Sequence, residues 1–242
     1  MQRFFLSAQN IDIENKILKI EGSDSKHIAQ SLRMKQGDTI TVCDMQKFEY
    51  SCEIISINDF VTAEIISISK NDTEPNYKAY LYQALPKNDK MDYIVQKAVE
   101  LGVYEIIPFI SERCISRPDK KSVDNKVSRW QKISEEAAKQ CGRGIIPVVR
   151  SVIDYEKALA DAVGTKFLCY EGDGTESVAK IICESESDIS FFIGPEGGFS
   201  MREVAAARGR SLRAVGLGKL ILRCETASGF VLACLSYEKN LI

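Results

Sequence analysis

Beyond residue 76 the chain alternates short β-branched or aromatic runs with longer segments of helical spacing. This alternation limits its fold more than any other feature. Strand candidates fall at 79–85, 105–110, 166–170, 189–193 and 213–217, and helix candidates at 91–101, 125–140, 155–162, 176–183, 200–207 and 226–237. Such a pattern predicts an α/β domain on a mostly parallel sheet, because each parallel strand needs a crossover and helices make good crossovers. Gly102 follows the first of these helices where a C-cap glycine belongs. The first seventy residues obey a different rule. Strand candidates at 3–6, 17–21, 39–43, 50–57 and 61–68 are separated by Asp/Asn turns. One segment of helical spacing, 23–34, carries Ile28 and Leu32 four residues apart. The polar stretch 70–76, with Pro75, reads as a linker, giving expected domains 1–72 and 73–242.

Composition removes several function classes. With 45% hydrophobic and 27% charged residues the chain is an ordinary globular one, and no apolar run approaches the length of a membrane span. Only Phe4-Phe5-Leu6 follow Arg3, too short for a secretion signal, so a cytoplasmic protein with reduced thiols is expected. Eight cysteines contain no CxxC pair, and His27 is the single histidine, so neither a zinc site nor a metal of similar ligation is expected. One histidine also leaves little room for Ser-His-Asp or Cys-His chemistry. The net charge is only −2, but it is unevenly spread. Residues 111–150 carry 10 basic and 5 acidic groups, 151–190 carry 3 and 9, and 191–242 carry 7 and 4. Two basic stretches flank an acidic one. They suit a phosphate backbone if they share a face, and are plain solvated surface if they do not.

Three segments carry the chemistry. The first, Phe191 to Ser200, is an apolar strand, a loop Gly194-Pro195-Glu196-Gly197-Gly198, and a helix start with the capping box Ser200-x-x-Glu203. Such a loop lies where α/β sheets bind ligands. It lacks the Gly-Lys-Ser/Thr of a phosphate loop and the GxGxxG of a dinucleotide site, and a tight connection alone would also use glycine. The second, Val215 to Ala227, joins Gly216 and Gly218 to Ile221-Leu222-Arg223 and then Glu225-Thr226 at a helix start. The third runs from Arg129-Trp130 through Glu136-Ala137 and Gln140 to Arg143, and closes at Pro147.

In their order and spacing these segments resemble the ribosomal RNA uridine-N3 methyltransferases of the SPOUT superfamily. The resemblance covers nearly the whole chain. It includes Arg3-Phe4-Phe5, then His27, Leu32-Arg33 and Gly37-Asp38, and then Lys87, Asp92, Gln96-Lys97, Glu100 to Val103 and Pro108. Two departures stand out: Leu220 where many members are basic, with Lys219 beside it, and Cys224 where a small or hydroxyl residue is common.

The resemblance implies a PUA-like β-barrel that helps hold RNA, followed by an α/β domain whose C-terminal segment threads a trefoil knot. It further implies a homodimer, S-adenosylmethionine as cofactor, and the 16S RNA or small ribosomal subunit as partner. Cofactor contacts would come from Tyr170, Glu171, Ile193, Gly194, Gly197, Gly198, Leu217, Gly218, Leu220, Leu222 and Thr226. Arg223 would stabilise an anionic uracil oxygen, with Glu196 or Glu225 accepting the N3 proton or orienting Arg223. Arg3, Arg33, Lys87 and Arg143 would contact RNA. A SPOUT enzyme with another target nucleotide and a non-catalytic RNA-binding factor of the same fold remain open alternatives at this level.

Overall fold

The computed structural model describes residues 2–185 and 187–239. The last residues of the expected second domain, 240–242, and its Glu186 lie outside the described residues. The chain forms two compact units. The first is Met1–Glu74 together with Ala138–Ile146, and the second is Pro75–Ala137 together with Pro147–Ile242.

The first unit is a six-stranded sheet curled around one apolar core. Its strands are β1 (Gln2–Phe5), β2 (Ile11–Asp12), β3 (Ile17–Ile20), β4 (Thr39–Cys43), β5 (Phe48–Ile57) and β6 (Val61–Lys70), in the order β1-β4-β5-β6-β3-β2. Only β1 and β4 run parallel. Among the described residues no pairing joins β1 to β2, so the sheet is curled and not closed into the expected barrel. Alternation drives it. Tyr50, Cys52 and Ile54 on β5 and Val61 and Ala63 on β6 point into a core with Ile40 and Val42, while their neighbours face water. β5 and β6 pair with two register shifts, which bend the ribbon.

The helix expected at 23–34 is shorter and irregular. It consists of α1 (Gly22–Lys26) followed by a π-turn at His27–Ser31. The Leu32 N–H reaches the His27 carbonyl at 2.9 Å and the Met34 N–H reaches that of Ile28 at 3.1 Å. Arg33 then takes a left-handed φ of 51°, which ends the helix. Ile28 is its one fully buried apolar anchor, too little to hold three regular turns.

The second unit is a parallel sheet with helices. Its elements are β7 (Lys78–Ala84), α2 (Lys90–Glu100), β8 (Glu105–Ile110), α3 (Lys120–Cys141), β9 (Val148–Val149), β10 (Ile153–Asp154), α4 (Tyr155–Asp161), β11 (Thr165–Cys169), β12 (Glu176–Ser177), α5 (Val178–Glu184), β13 (Asp188–Ile193), α6 (Met201–Gly209), β14 (Arg213–Gly216) and α7 (Cys224–Glu238). The strand order is β10-β8-β7-β13-β11-β14-β12, with β9 also on β8. β13 is central and apolar on both sides. Phe192 stacks on Tyr82 at 4.4 Å, and its neighbour Phe191 packs on Phe167 at 5.9 Å. Consecutive aromatics face opposite ways along a strand, so both faces must be covered.

Most of the longer elements lie close to their expected spans, but α3 begins at Lys120, ahead of its expected start at 125. The two-residue strands β9, β10 and β12 carry no detectable period, and β12 takes the first two positions of the helix expected at 176–183. The linker region is more than a spacer. Glu74 accepts from Arg143 Nε at 2.9 Å and Nη2 at 2.7 Å, and from the Gly144 N–H at 2.8 Å. These bonds gather residues 138–146, distant in sequence, into the first unit.

Candidate active site

Three loops meet at the carboxyl ends of neighbouring strands in the second unit: residues 169–175 after β11, 193–199 after β13, and 216–222 after β14. They line a cleft of about 780 Å³ counted out to its open mouth. This is where an open α/β sheet places a ligand, because the loops there are free of the ladder.

The glycines shape its walls. Gly198 has φ +65°, which a glycine adopts without strain, and its N–H bonds to the Pro195 carbonyl at 2.9 Å. A side chain at Gly194 would sit 3.2 Å from the Phe199 ring, so the wall there is already packed to its limit. The Ser200 hydroxyl accepts the Glu203 N–H while Glu203 accepts the Ser200 N–H, so the capping box fixes the loop to α6. Ser200 also donates to Glu112 at 2.7 Å, and Arg113 donates to the Gly197 carbonyl at 2.8 Å.

The third loop is different in kind. Among the described residues, the N–H groups of Gly218 to Leu222 have no protein acceptor. Leu220 and Ile221 are 80% and 87% exposed. A loop with open backbone donors over a cleft of mixed polar and apolar lining is suited to a ligand with both polar edges and an apolar body.

Of the residues expected to touch a cofactor, Tyr170, Glu171, Ile193, Gly194, Gly198, Leu217, Gly218, Leu220 and Leu222 border the cleft. Gly197 and Thr226 do not: Gly197 turns its carbonyl toward Arg113, and Thr226 is exposed on the first turn of α7. Phe199, Gly216 and Thr175 also border the cleft. The signal for Thr175 was the pair Gly172 and Gly174 just before it, after a strand.

The charged residues regroup. Glu196 or Glu225 is expected to accept the N3 proton or to orient Arg223; in the structure both carboxylates meet Lys90, whose Nζ lies 3.1 Å from Glu196 Oε1 and 3.3 Å from Glu225 Oε2. The Lys87 N–H also donates to Glu196, at 3.1 Å. Burial works to raise both carboxyls, but backbone donors and the Lys90 ammonium prevail and hold both below the usual carboxylate range; Glu225 is further lowered by the Cys224 thiol. The Lys90 ammonium is raised, first by its hydrogen bond to Glu196. Lys90 went unremarked in the sequence, although it lies one helical turn from Lys87 in the turn that opens α2.

Arg223 occupies the N-cap of α7, where its carbonyl accepts from Thr226 at 2.9 Å and Ala227 at 2.8 Å. Its side chain is exposed and has no ion-pair partner among the described residues. Burial pushes the adjacent Cys224 thiol up to about 12, so it stays protonated.

Two of the expected RNA contacts are otherwise engaged. The Arg143 side chain is 5% exposed and held by Glu74. Arg3 pairs with Glu49 at 3.0 Å and donates to Cys43 Sγ at 2.7 Å. Both are internal ties of the first unit, because burying a guanidinium demands a carboxylate partner. Arg33 and Lys87 are exposed. His27 is exposed in the π-turn of the first unit. All eight cysteines are free thiols. Among the described residues no cluster of His, Cys, Asp and Glu could hold a metal ion, and no helix is long and apolar enough to cross a membrane.

A parallel sheet with a glycine-walled cleft over its carboxyl edge, in a chain that also holds a curled β unit, is the combination found in two-domain RNA-modifying enzymes. Residues 73–236 match the RNA methyltransferase domain, and residues 20–66 match the RNA methyltransferase PUA domain. The chain belongs to the RNA methyltransferase family whose curated members are named ribosomal RNA small subunit methyltransferase E. The Bacillus subtilis member is 33% identical over 252 aligned residues, covering 100% of this chain and 98% of that protein. The Mesomycoplasma hyopneumoniae member is 32% identical, covering 96% and 97%. The crystal structure of the Neisseria gonorrhoeae enzyme bound to S-adenosyl methionine superposes with a TM-score of 0.87 at 30% identity, covering 98% of this chain and 97% of that one.

Proposed function

We propose that this protein transfers a methyl group from S-adenosylmethionine to N3 of a uridine in 16S ribosomal RNA. The observation that carries the reading is the cleft itself, whose loop 218–222 holds backbone donors that donate to no described protein group. Those donors, the Gly194 and Gly198 walls and Tyr170 suit a ligand with a flat ring and polar edges. When bound, the cofactor supplies a methyl carbon made electrophilic by its sulfonium.

The chain's own residues do the rest. N3 takes part in Watson–Crick pairing, so the uridine must be unpaired or flipped out. Arg223, exposed at the N-cap of α7 between the cleft-lining Leu222 and Cys224, stabilises the negative charge that develops on a uracil oxygen as N3 loses its proton. Glu196 and Glu225 are ionised at neutral pH and able to accept that proton. Arg33 and Lys87 supply phosphate contacts.

We also read the C-terminal segment as threading a trefoil knot. The strand order supports this. β14 pairs with β11 on one side and β12 on the other, although only residues 170–175 join those two strands. A homodimer acting on small-subunit RNA in the cytoplasm completes the reading.

The test uses purified protein, methyl-labelled cofactor and small subunits lacking the modification, with labelled nucleosides identified by mass spectrometry. Label in 3-methyluridine is expected. Label in another nucleoside overturns the target atom. Absence of both label and cofactor binding turns the protein into an RNA-binding factor.

A further inference from the structure

We infer that Lys90 is a positioning residue that pins together the two loop walls of the active site. The inference rests on the methyltransferase reading for its catalytic consequence, but not for the tie itself. Three segments distant in sequence meet at this one ammonium. The first residue of α2 is Lys90, the glycine loop after β13 brings Glu196, and the first turn of α7 brings Glu225. The turn just before α2 adds a second donor to Glu196, the Lys87 N–H at 3.1 Å. On the α7 side the Cys224 thiol donates to Glu225 at 3.2 Å. Each carboxylate is therefore held from two directions.

The consequence is geometric. Glu196 lies between Pro195 and Gly197, and Pro195 borders the cleft. Glu225 lies two residues after Arg223, whose carbonyl caps α7. Fixing the two carboxylates on one cation fixes the glycine loop relative to the helix start that presents Arg223. Without Lys90, two like charges brought to one point repel, and both segments drift. A lysine suits the task, because its compact ammonium has three rotatable donors to divide between two acceptors. In this arrangement Lys90 acts through Glu196, Glu225 and Arg223 and touches no reacting atom.

The test has two arms on the full-length protein, with Lys90→Met and Lys90→Arg. The first is amide hydrogen exchange at Lys87, Gly198, Thr226 and Ala227, whose N–H groups are bonded within the pinned segments. Lys90→Met is expected to speed exchange at these amides together by on the order of tenfold, while strands β7 and β13 keep their protection. Lys90→Arg is expected to restore it. The second arm is methyl transfer to small subunits. Lys90→Met is expected to lower kcat on the order of tenfold or more while the KM for RNA moves less than about threefold, as for loss of an interaction realised in the transition state. Unchanged exchange at those four amides overturns the tie, whatever the reaction proves to be. Faster exchange with normal kcat overturns the positioning role. If the unaltered protein transfers no methyl group, the functional reading fails, and the exchange arm still decides the tie.

Discussion

Replacing Glu74 with leucine removes the acceptor that holds Arg143, and the cost can be worked from the structure. The Arg143 side chain is 5% exposed and that of Glu74 is 24% exposed. Breaking a buried ion pair from one side costs about 3–5 kcal/mol. Water reaches the Glu74 side of this pair, which lowers the figure to about 2–4 kcal/mol. The Gly144 and Ile145 N–H groups, at 2.8 and 3.3 Å from the same oxygen, also lose their acceptor, returning part of the difference. A value of about 3 kcal/mol corresponds to a Tm lowered by about 6–12 °C for a chain of this length. Arg143→Met should cost less, about 1–2 kcal/mol, because Glu74 can hydrate and keeps its two backbone donors. The double variant should cost less than the sum, with a coupling of about 1–3 kcal/mol. Thermal and urea unfolding followed by circular dichroism give these numbers, and filter binding to small-subunit RNA runs beside them. The reasoning is refuted if Arg143→Met unfolds like the parent yet loses RNA affinity by more than tenfold. Arg143 would then be an RNA contact and its burial incidental.

Other consequences follow from particular residues. Arg223→Ala should abolish methyl transfer while cofactor affinity, read by calorimetry, changes little, because the cap is made by its backbone carbonyl and survives; near-normal turnover removes Arg223 from the mechanism. Gly198→Ala places a side chain at φ +65°, costing about 1–2 kcal/mol, and its Cβ would meet Glu171 Oε1 at 2.6 Å, so cofactor binding should weaken. Gly209→Ala, at the end of α6 with open space around it, should instead raise stability by about 0.5–1 kcal/mol. A Gly198→Ala protein that binds cofactor like the parent would show that this wall has slack. Asp161 is raised by burial, but Arg150 and Tyr82 outweigh that and hold it below its ordinary value of 3.8. Its contribution is present above that value and is lost as pH falls through the lower folded value. Asp161→Asn should therefore flatten the acid limb of stability against pH below about 4, and an unchanged limb contradicts the assignment.

The contrast between what was legible and what was not runs along individual residues. Gly102, the Ser200–Glu203 box and the strand containing Phe191 and Phe192 were readable because each depends on neighbours within a few positions. The same holds for the glycine loops, whose order and spacing carry the family resemblance. Lys90 was missed because its two partners lie 106 and 135 positions away, at Glu196 and Glu225, and no local pattern announces such a meeting. Arg143 reads in the sequence as an RNA contact because its charge is visible and its burial is not.

The sequence by itself therefore determined the change from alternating strands to an α/β repeat, the longer strands and helices of each unit, and which loops carry glycine at a strand's carboxyl end. These follow from periodicity and backbone sterics, which act over a few residues. Only the tertiary structure decided which charges are paired, which cations stay exposed, and that residues 138–146 return to the first unit. Those depend on burial and on partners brought together by folding, and a side chain's desolvation is settled only once the surrounding chain is in place.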